Sequence, residues 1–231
     1  MAMDSTSKSV DDRPGAGAEA SFRYGAALIL TVVLLVFLIA APSARWAEGV
    51  AVAIEGGLLT VVAATSKESA KTRWRLTLSC GGATALVAVL AAVGVLPEAM
   101  VRVIAGLLTA VIFGVLLQGV AKLIGLQGVT AQAVAGALTI YLLIGLTFAW
   151  TIAVVVQISN TPYFVQVKTP TTSDIVYFSF TVLTTTGFGD LTAATRVGRA
   201  LAVLEMVTGQ IYLVTIVGVL IGHFVGRRGR Q

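Results

Sequence analysis

Thr184-Thr185-Thr186-Gly187-Phe188-Gly189-Asp190 joins two long apolar stretches and follows residues 173–183, which read as an amphipathic helix too short to cross a bilayer. Such a run makes chemical sense if the backbone acts rather than the side chains. Glycines at alternate positions accept dihedrals that other residues resist, so carbonyl oxygens that ordinarily alternate sides can all face one axis. Four such strands around that axis would stack rings of oxygens able to replace the water around a monovalent cation. Replacement matters because taking a small ion into a low-dielectric medium costs on the order of 20 kcal/mol. A glycine-rich surface turn would explain neither the short helix nor the flanking apolar stretches.

At these residues the sequence resembles the pore-loop potassium channels, whose filter reads Thr-Val-Gly-Tyr-Gly-Asp where this chain has Thr185-Thr186-Gly187-Phe188-Gly189-Asp190. The resemblance continues into Gly198-Arg199 and Gly209 and covers roughly residues 132–226; residues 1–131 carry no matching motif. It implies potassium held at Thr185, Thr186, Gly187 and Phe188, and a pore helix with support from Ser173, Asp174, Tyr177, Thr181, Thr184 and Glu205. It also implies an inner helix that bends at Gly209; Gln210, Val214, Val217 and Ile221 are the candidates for lining the cavity and gate, and Gly218 and Gly222 lie on the face read as the inner bundle crossing. Gly218, Gly222 and Gly226 are spaced to let helices approach closely; packing against the fifth span is the alternative. Thr186 replaces an aliphatic residue and Phe188 a tyrosine, so a weakly selective or nonselective monovalent cation channel is the alternative to a potassium channel.

Composition bounds the class independently. Of 231 residues, 57% are hydrophobic and 12% charged, far from a soluble domain, so the expected fold is an all-α integral membrane protein. The expected architecture is six transmembrane helices with a re-entrant pore helix and filter loop, assembled as a tetramer. Cys80 is the single cysteine; it excludes a disulfide framework and reads as a packed thiol.

Residues 1–21 read as a disordered cytoplasmic tail, rich in Ser, Asp, Gly and Ala. Residues 22–121 hold four spans: 24–41, 49–65, 76–96 stopped by Pro97, and 99–119, with Arg45-Trp46-Ala47-Glu48 a short connection. Ala41-Pro42-Ser43-Ala44 loosely resembles a signal-peptide cleavage site, but the acidic flank of Asp4, Asp11, Asp12 and Glu19 argues for a retained span. Residues 131–226 form the pore domain, with spans at 131–159 and 197–225, and 227–231 a basic cytoplasmic tail. Thr172-Ser173-Asp174 offers side-chain oxygens to cap the pore helix, whose negative C-terminal end then points toward the membrane centre.

Basic residues bias connections toward the cytoplasm. With both termini inside, the inner side holds Lys8, Arg13, Arg23, Lys67, Lys71, Arg73, Arg75, Lys122, Arg227, Arg228 and Arg230. The outer side holds Arg45, Arg102, Lys168, Arg196 and Arg199. Eleven against five puts the filter outward in a multi-pass cell-membrane protein.

A voltage sensor needs basic residues at every third position of one span. Arg102 and Lys122 stand at opposite ends of the fourth span with no charge between them, so the expected pore is voltage-insensitive and the first four spans form a structural collar. Glu55 and Glu205 are intramembrane acids, functional candidates by default and the basis of a rival reading as an ion-coupled secondary transporter. Glu205 lies four residues before Gly209, with hydroxyls of Thr181, Thr184 or Thr147 as expected partners, and reads as a neutral brace behind the filter. His223 reads as an interfacial packing residue. No nucleophile with a base, phosphate loop or metal-ligand cluster marks an enzyme. Apart from potassium ions no cofactor is expected, and the partners are the bilayer and further copies of the chain, not nucleic acid. With a handful of residues after the last span, gating by a cytoplasmic module on the same chain is not expected.

Overall fold

The computed structural model describes residues 15–63, 70–127 and 130–228. Seven helices account for nearly all of them: α1 Gly15–Ala40, α2 Arg45–Ala63, α3 Ala70–Val93, α4 Glu98–Gln127, α5 Ala131–Ile158, α6 Thr172–Leu183 and α7 Arg196–Arg228. Among the described residues there is no strand, only one bridge between Phe164 and Ala193. Arg45–Ala63, Glu98–Ile124, Ala131–Ile158 and Arg196–Val219 are each long and apolar enough to cross a membrane. The chain is an all-helical, multi-pass membrane protein. The apolar parts Tyr24–Ala40 of α1 and Gly81–Val93 of α3 are shorter.

Several boundaries differ from the sequence expectation, each for a local reason. Residues 15–21 belong to α1 rather than to a disordered tail; Ala16, Ala18, Glu19 and Ala20 are strong helix formers. Residues 1–14 lie outside the described residues. Residues 45–48 are the first turn of α2, not a connection, because Ala47 N–H already donates to Ala44 O at 2.9 Å. Pro42 enforces the tight turn from α1. Helix α3 stops at Gly94 and not at Pro97: with Gly94 at φ 79, Val95 N–H reaches Leu90 O and Gly94 N–H reaches Ala91 O, both at 3.0 Å, a Schellman closure that needs the left-handed residue. Pro97 instead opens α4, accepting from Met100 and Val101. Helix α4 runs past residue 119 and includes Lys122, and α7 includes Arg227 and Arg228 of the expected tail.

Packing runs through α5. Helices α1, α4, α6 and α7 all touch it, α2 packs on α1, α3 and α4, and α1 also meets α6. Small residues make the close approaches. A side chain at Gly49 would meet Ala88 O at 2.6 Å, and one at Gly56 would meet Thr84, so α2 and α3 sit nearly backbone to backbone, as lipid-embedded helices do. Trp150 is 6% exposed and packs over Gly106. Helix α7 stands apart from this core: only 11% of its apolar window is buried.

Candidate functional site

Helix α6 is set by a capping box. Thr171 Oγ1 accepts from Asp174 N at 3.2 Å, while Thr171 N–H donates to Asp174 Oδ2 at 2.8 Å. The N-cap is therefore Thr171, one residue before the expected cap; Asp174 takes part and Ser173 does not, its hydroxyl donating instead to Ile39 O of α1 at 2.7 Å. The apolar face of α6, including Ile175, Val176, Phe178 and Leu183, is buried. Its tip lies against Gly145 of α5, where an added side chain would meet Phe180 and Leu183 within 3.0 Å.

The chain leaves α6 through its own C-terminal carbonyls. Thr186 and Gly187 N–H both donate to Thr181 O, at 2.9 and 3.1 Å, and Thr185 N–H donates to Val182 O at 2.9 Å. Beyond this point positive φ recurs at every second residue: Thr185 at 57, Gly187 at 50 and Gly189 at 82, with Thr186 and Phe188 between them on the ordinary side. Alternating handedness of this kind turns successive carbonyls toward one side of the strand. Gly187 and Gly189 take up it freely; Thr185 holds it at a cost of roughly 1–3 kcal/mol, secured by its hydroxyl donating to Thr184 O at 2.7 Å and accepting from Gln210 Nε2 of α7 at 3.4 Å. Thr184 and Thr186 hydroxyls share a hydrogen bond of 2.9 Å. Residues 184–190 are all exposed in the single chain.

On one flank the Phe188 ring stacks parallel to Tyr177, centroids 6.4 Å apart, and the Tyr177 hydroxyl lies against the Asp190 carboxylate. Asp190 Oδ1 accepts from Leu191 N–H. The return loop is pinned to the α5–α6 connection: Val165 N–H donates to Thr192 O, Ala194 N–H to Tyr163 O, and the Gln166 amide brackets Thr192 with two bonds of 2.9 Å. Tyr163, buried against Phe164 and Phe178, donates its hydroxyl to Gly198 O. Burial raises the pKa of its phenol, which keeps that donor protonated.

Behind the loop, Glu205 is wholly buried and 2.5 Å from Ser179 Oγ of α6, which also lies 2.7 Å from Gly145 O. The expected partners are corrected. Thr181, Thr184 and Thr147 donate to Phe178 O, Phe180 O and Leu143 O of their own helices, the local alternative open to a helical threonine. Gly209 sits one turn on, where a side chain would strike Leu183 O and Cδ1 at 2.9 Å. Gln210, Val214, Val217 and Gly218 are exposed, and nothing lies within 4 Å of a side chain built at Gly218, so in the single chain this face does not pack on α5. The Ile221, Gly222, His223 and Gly226 positions fall on α7, with side chains outside the described residues, as is that of Cys80 on α3.

Glu55 has a separate setting. It is fully buried where α2 meets α4, accepts from Thr109 Oγ1 at 3.2 Å and keeps Oε2 without a hydrogen bond; the Trp150 indole is close by but not at bonding geometry. Glu55 and Glu205 share no hydrogen-bond partner. Sequence reasoning missed Thr171, Ser179, Gly145, Tyr163 and Gln166. Only Thr171, three before Asp174, carried a readable signal, the capping-box spacing. Among the described residues no group of three His, Cys, Asp or Glu is arranged to hold a metal ion.

A family model described as ion channel matches residues 140–225, which spans most of α5, all of α6, the 184–190 loop and nearly all of α7. No curated protein and no solved structure matches the chain. The match covers α6, the loop that follows it and nearly all of α7 as just described. Over residues 140–225 the chain is similar to the ion channels that this family model describes.

Proposed function

We propose that four copies of the chain assemble around α7 and the 184–190 loop into a passive, voltage-insensitive, potassium-selective channel, potassium binding at the oxygens of Thr185, Thr186, Gly187 and Phe188. The observation that carries the reading is the alternation of positive φ at Thr185, Gly187 and Gly189, which supplies one face of carbonyls per chain. One strand cannot enclose an ion; a closed ring needs symmetric copies. The exposed face of α7 is where those copies would meet, with Gly218 and Gly222 at the inner crossing, Gly209 as hinge and Val214, Val217 and Ile221 lining the path.

In this reading the chain crosses the membrane six times with both termini cytoplasmic, and α6 enters from outside and returns through the filter. Residues 22–121 form a collar on α5 rather than a sensor, since α4 carries only Arg102 near its start, paired with Glu98 at 3.3 Å, and Lys122 near its end. The decisive experiment is recording from purified protein in planar bilayers under opposed potassium and sodium gradients. Unitary steps reversing near the potassium equilibrium potential support the proposal. Reversal near zero supports a nonselective cation pore, and proton-coupled flux without unitary steps supports a transporter.

A further inference from the structure

At the end of the bundle where α1 and α5 finish and α2, α4 and α6 begin, a cavity of about 410 Å³ opens between α1, α2, α4, Trp150 of α5 and the start of α6. That volume falls in the range of small-molecule sites. Phe37 and Leu38 give it an apolar wall, residues 171–173 form the opposite one, and four charged side chains line it: Arg45, Glu48, Glu98 and Arg102.

The charges balance in number but not in contact. Arg102 and Glu98 form the only ion pair among the described residues, and Arg102 Nε is buried without an acceptor. Arg45 reaches only a backbone oxygen, Gly94 O, at 3.5 Å, and Glu48, although near enough to Arg102 and Arg45 to feel their charge, forms no ion pair with either. A buried guanidinium N–H without an acceptor calls for an anionic oxygen, and a half-buried carboxylate beside it calls for a cation that donates hydrogen bonds. Both demands fall within one cavity that is otherwise apolar on the α1 side.

We propose that this cavity binds a phosphate–ammonium zwitterion, the phosphate on Arg102 and Arg45 and the ammonium on Glu48, as the headgroup of a lipid whose first methylenes lie along Phe37 and Leu38. The occupant rests against the residues that cap α6, and Ser173 already ties that cap to Ile39 of α1. Occupancy therefore bears on the helix that carries residues 184–190.

Native mass spectrometry of the full chain in detergent tests this without reference to conduction. Phosphatidylethanolamine should be retained about tenfold more tightly than phosphatidylglycerol, which lacks the ammonium, or phosphatidylcholine, whose ammonium donates no hydrogen bond. Glu48→Gln should remove about that tenfold preference, whereas Arg102→Gln should weaken retention of all three lipids about tenfold, since all carry the phosphate. Ser43→Trp, at the exposed rim, fills the entrance without touching a charge and should weaken retention in a protein that still folds. Displacement by an equal concentration of soluble phosphoethanolamine would make the free zwitterion the ligand and overturn the lipid source; no displacement supports it. Equal retention of the three lipids, or retention unmoved by all three variants, overturns the proposal. Loss of potassium current with retention intact would count against the channel reading alone.

Discussion

Glu205 of α7 and Ser179 of α6 meet at 2.5 Å with both residues wholly buried, and Ser179 Oγ is at the same time 2.7 Å from Gly145 O of α5. A serine hydroxyl has one hydrogen. With an ionised carboxylate one of the two contacts would set oxygen against oxygen with no proton between them. Both are satisfied when Glu205 is the acid, donating to Ser179, which donates to Gly145 O. Two consecutive hydrogen bonds then tie α7, α6 and α5 together behind the loop.

Glu205→Gln keeps a donor at the same place, so it should leave unitary conductance near normal. Glu205→Ala removes the donor and opens a buried void, lowering stability by about 2–4 kcal/mol. Thermal melting of the assembled protein and single-channel recording read the two effects. A Gln variant with strongly reduced conductance and weakened block by internal cations would show instead that the carboxylate is ionised and faces the ion path.

Gly209→Ala places a methyl carbon 2.9 Å from the Leu183 carbonyl, so α7 must shift away from the tip of α6. The expected cost is about 1–3 kcal/mol, with a lower open probability. Gly218→Ala meets nothing in the single chain and should leave the chain's own folding intact while reducing the tetramer fraction seen by native mass spectrometry. An unaltered tetramer fraction for Gly218→Ala would move the contact between copies elsewhere on α7.

Thr171→Ala removes the N-cap of the helix that carries the loop, at about 1 kcal/mol. Asp174→Ala breaks the other half of the same box and should cost a similar amount, and the double variant less than the sum, because the two bonds are reciprocal. Melting curves of the three variants check this.

Open probability should change little between −100 and +100 mV. A true sensor draws about 2.3 kcal/mol per charge per 100 mV, and Arg102 is held by Glu98 at the start of α4 with no basic residue until Lys122. Activation with a slope of several gating charges would refute this.

Reading the chain alone found the 184–190 loop because its signal is local: Gly187 and Gly189 are where the left-handed backbone falls. It did not find that Thr185 shares this conformation, since a β-carbon disfavours it; the hydroxyl bonds to Thr184 O and Gln210 that hold it there depend on α7 lying alongside. Pro97 drew attention as the end of α3, yet Gly94 closes that helix and Pro97 starts the next. Both residues interrupt helices, and which of two neighbours acts as the stop depends on where the backbone bonds go.

Composition, the apolar runs and the alternation of Gly187 and Gly189 determined by themselves that this is a helical membrane protein with a glycine-bearing loop between its last two long helices. These follow from backbone dihedrals, span length and the exclusion of unpaired peptide groups from lipid, none of which needs a distant partner. The reading of that loop as a pore loop came from the resemblance. Only the tertiary structure decided that Glu205 pairs with Ser179 rather than with Thr181, Thr184 or Thr147, that Gly209 is small because Leu183 O lies against it, and that Glu48 and Arg102 border one cavity at the cap of α6. Those choices depend on the rotation and depth of each helix against its neighbours. In a bundle where nearly every face is apolar, side-chain fit between helices sets that register, and no periodicity along one helix records it.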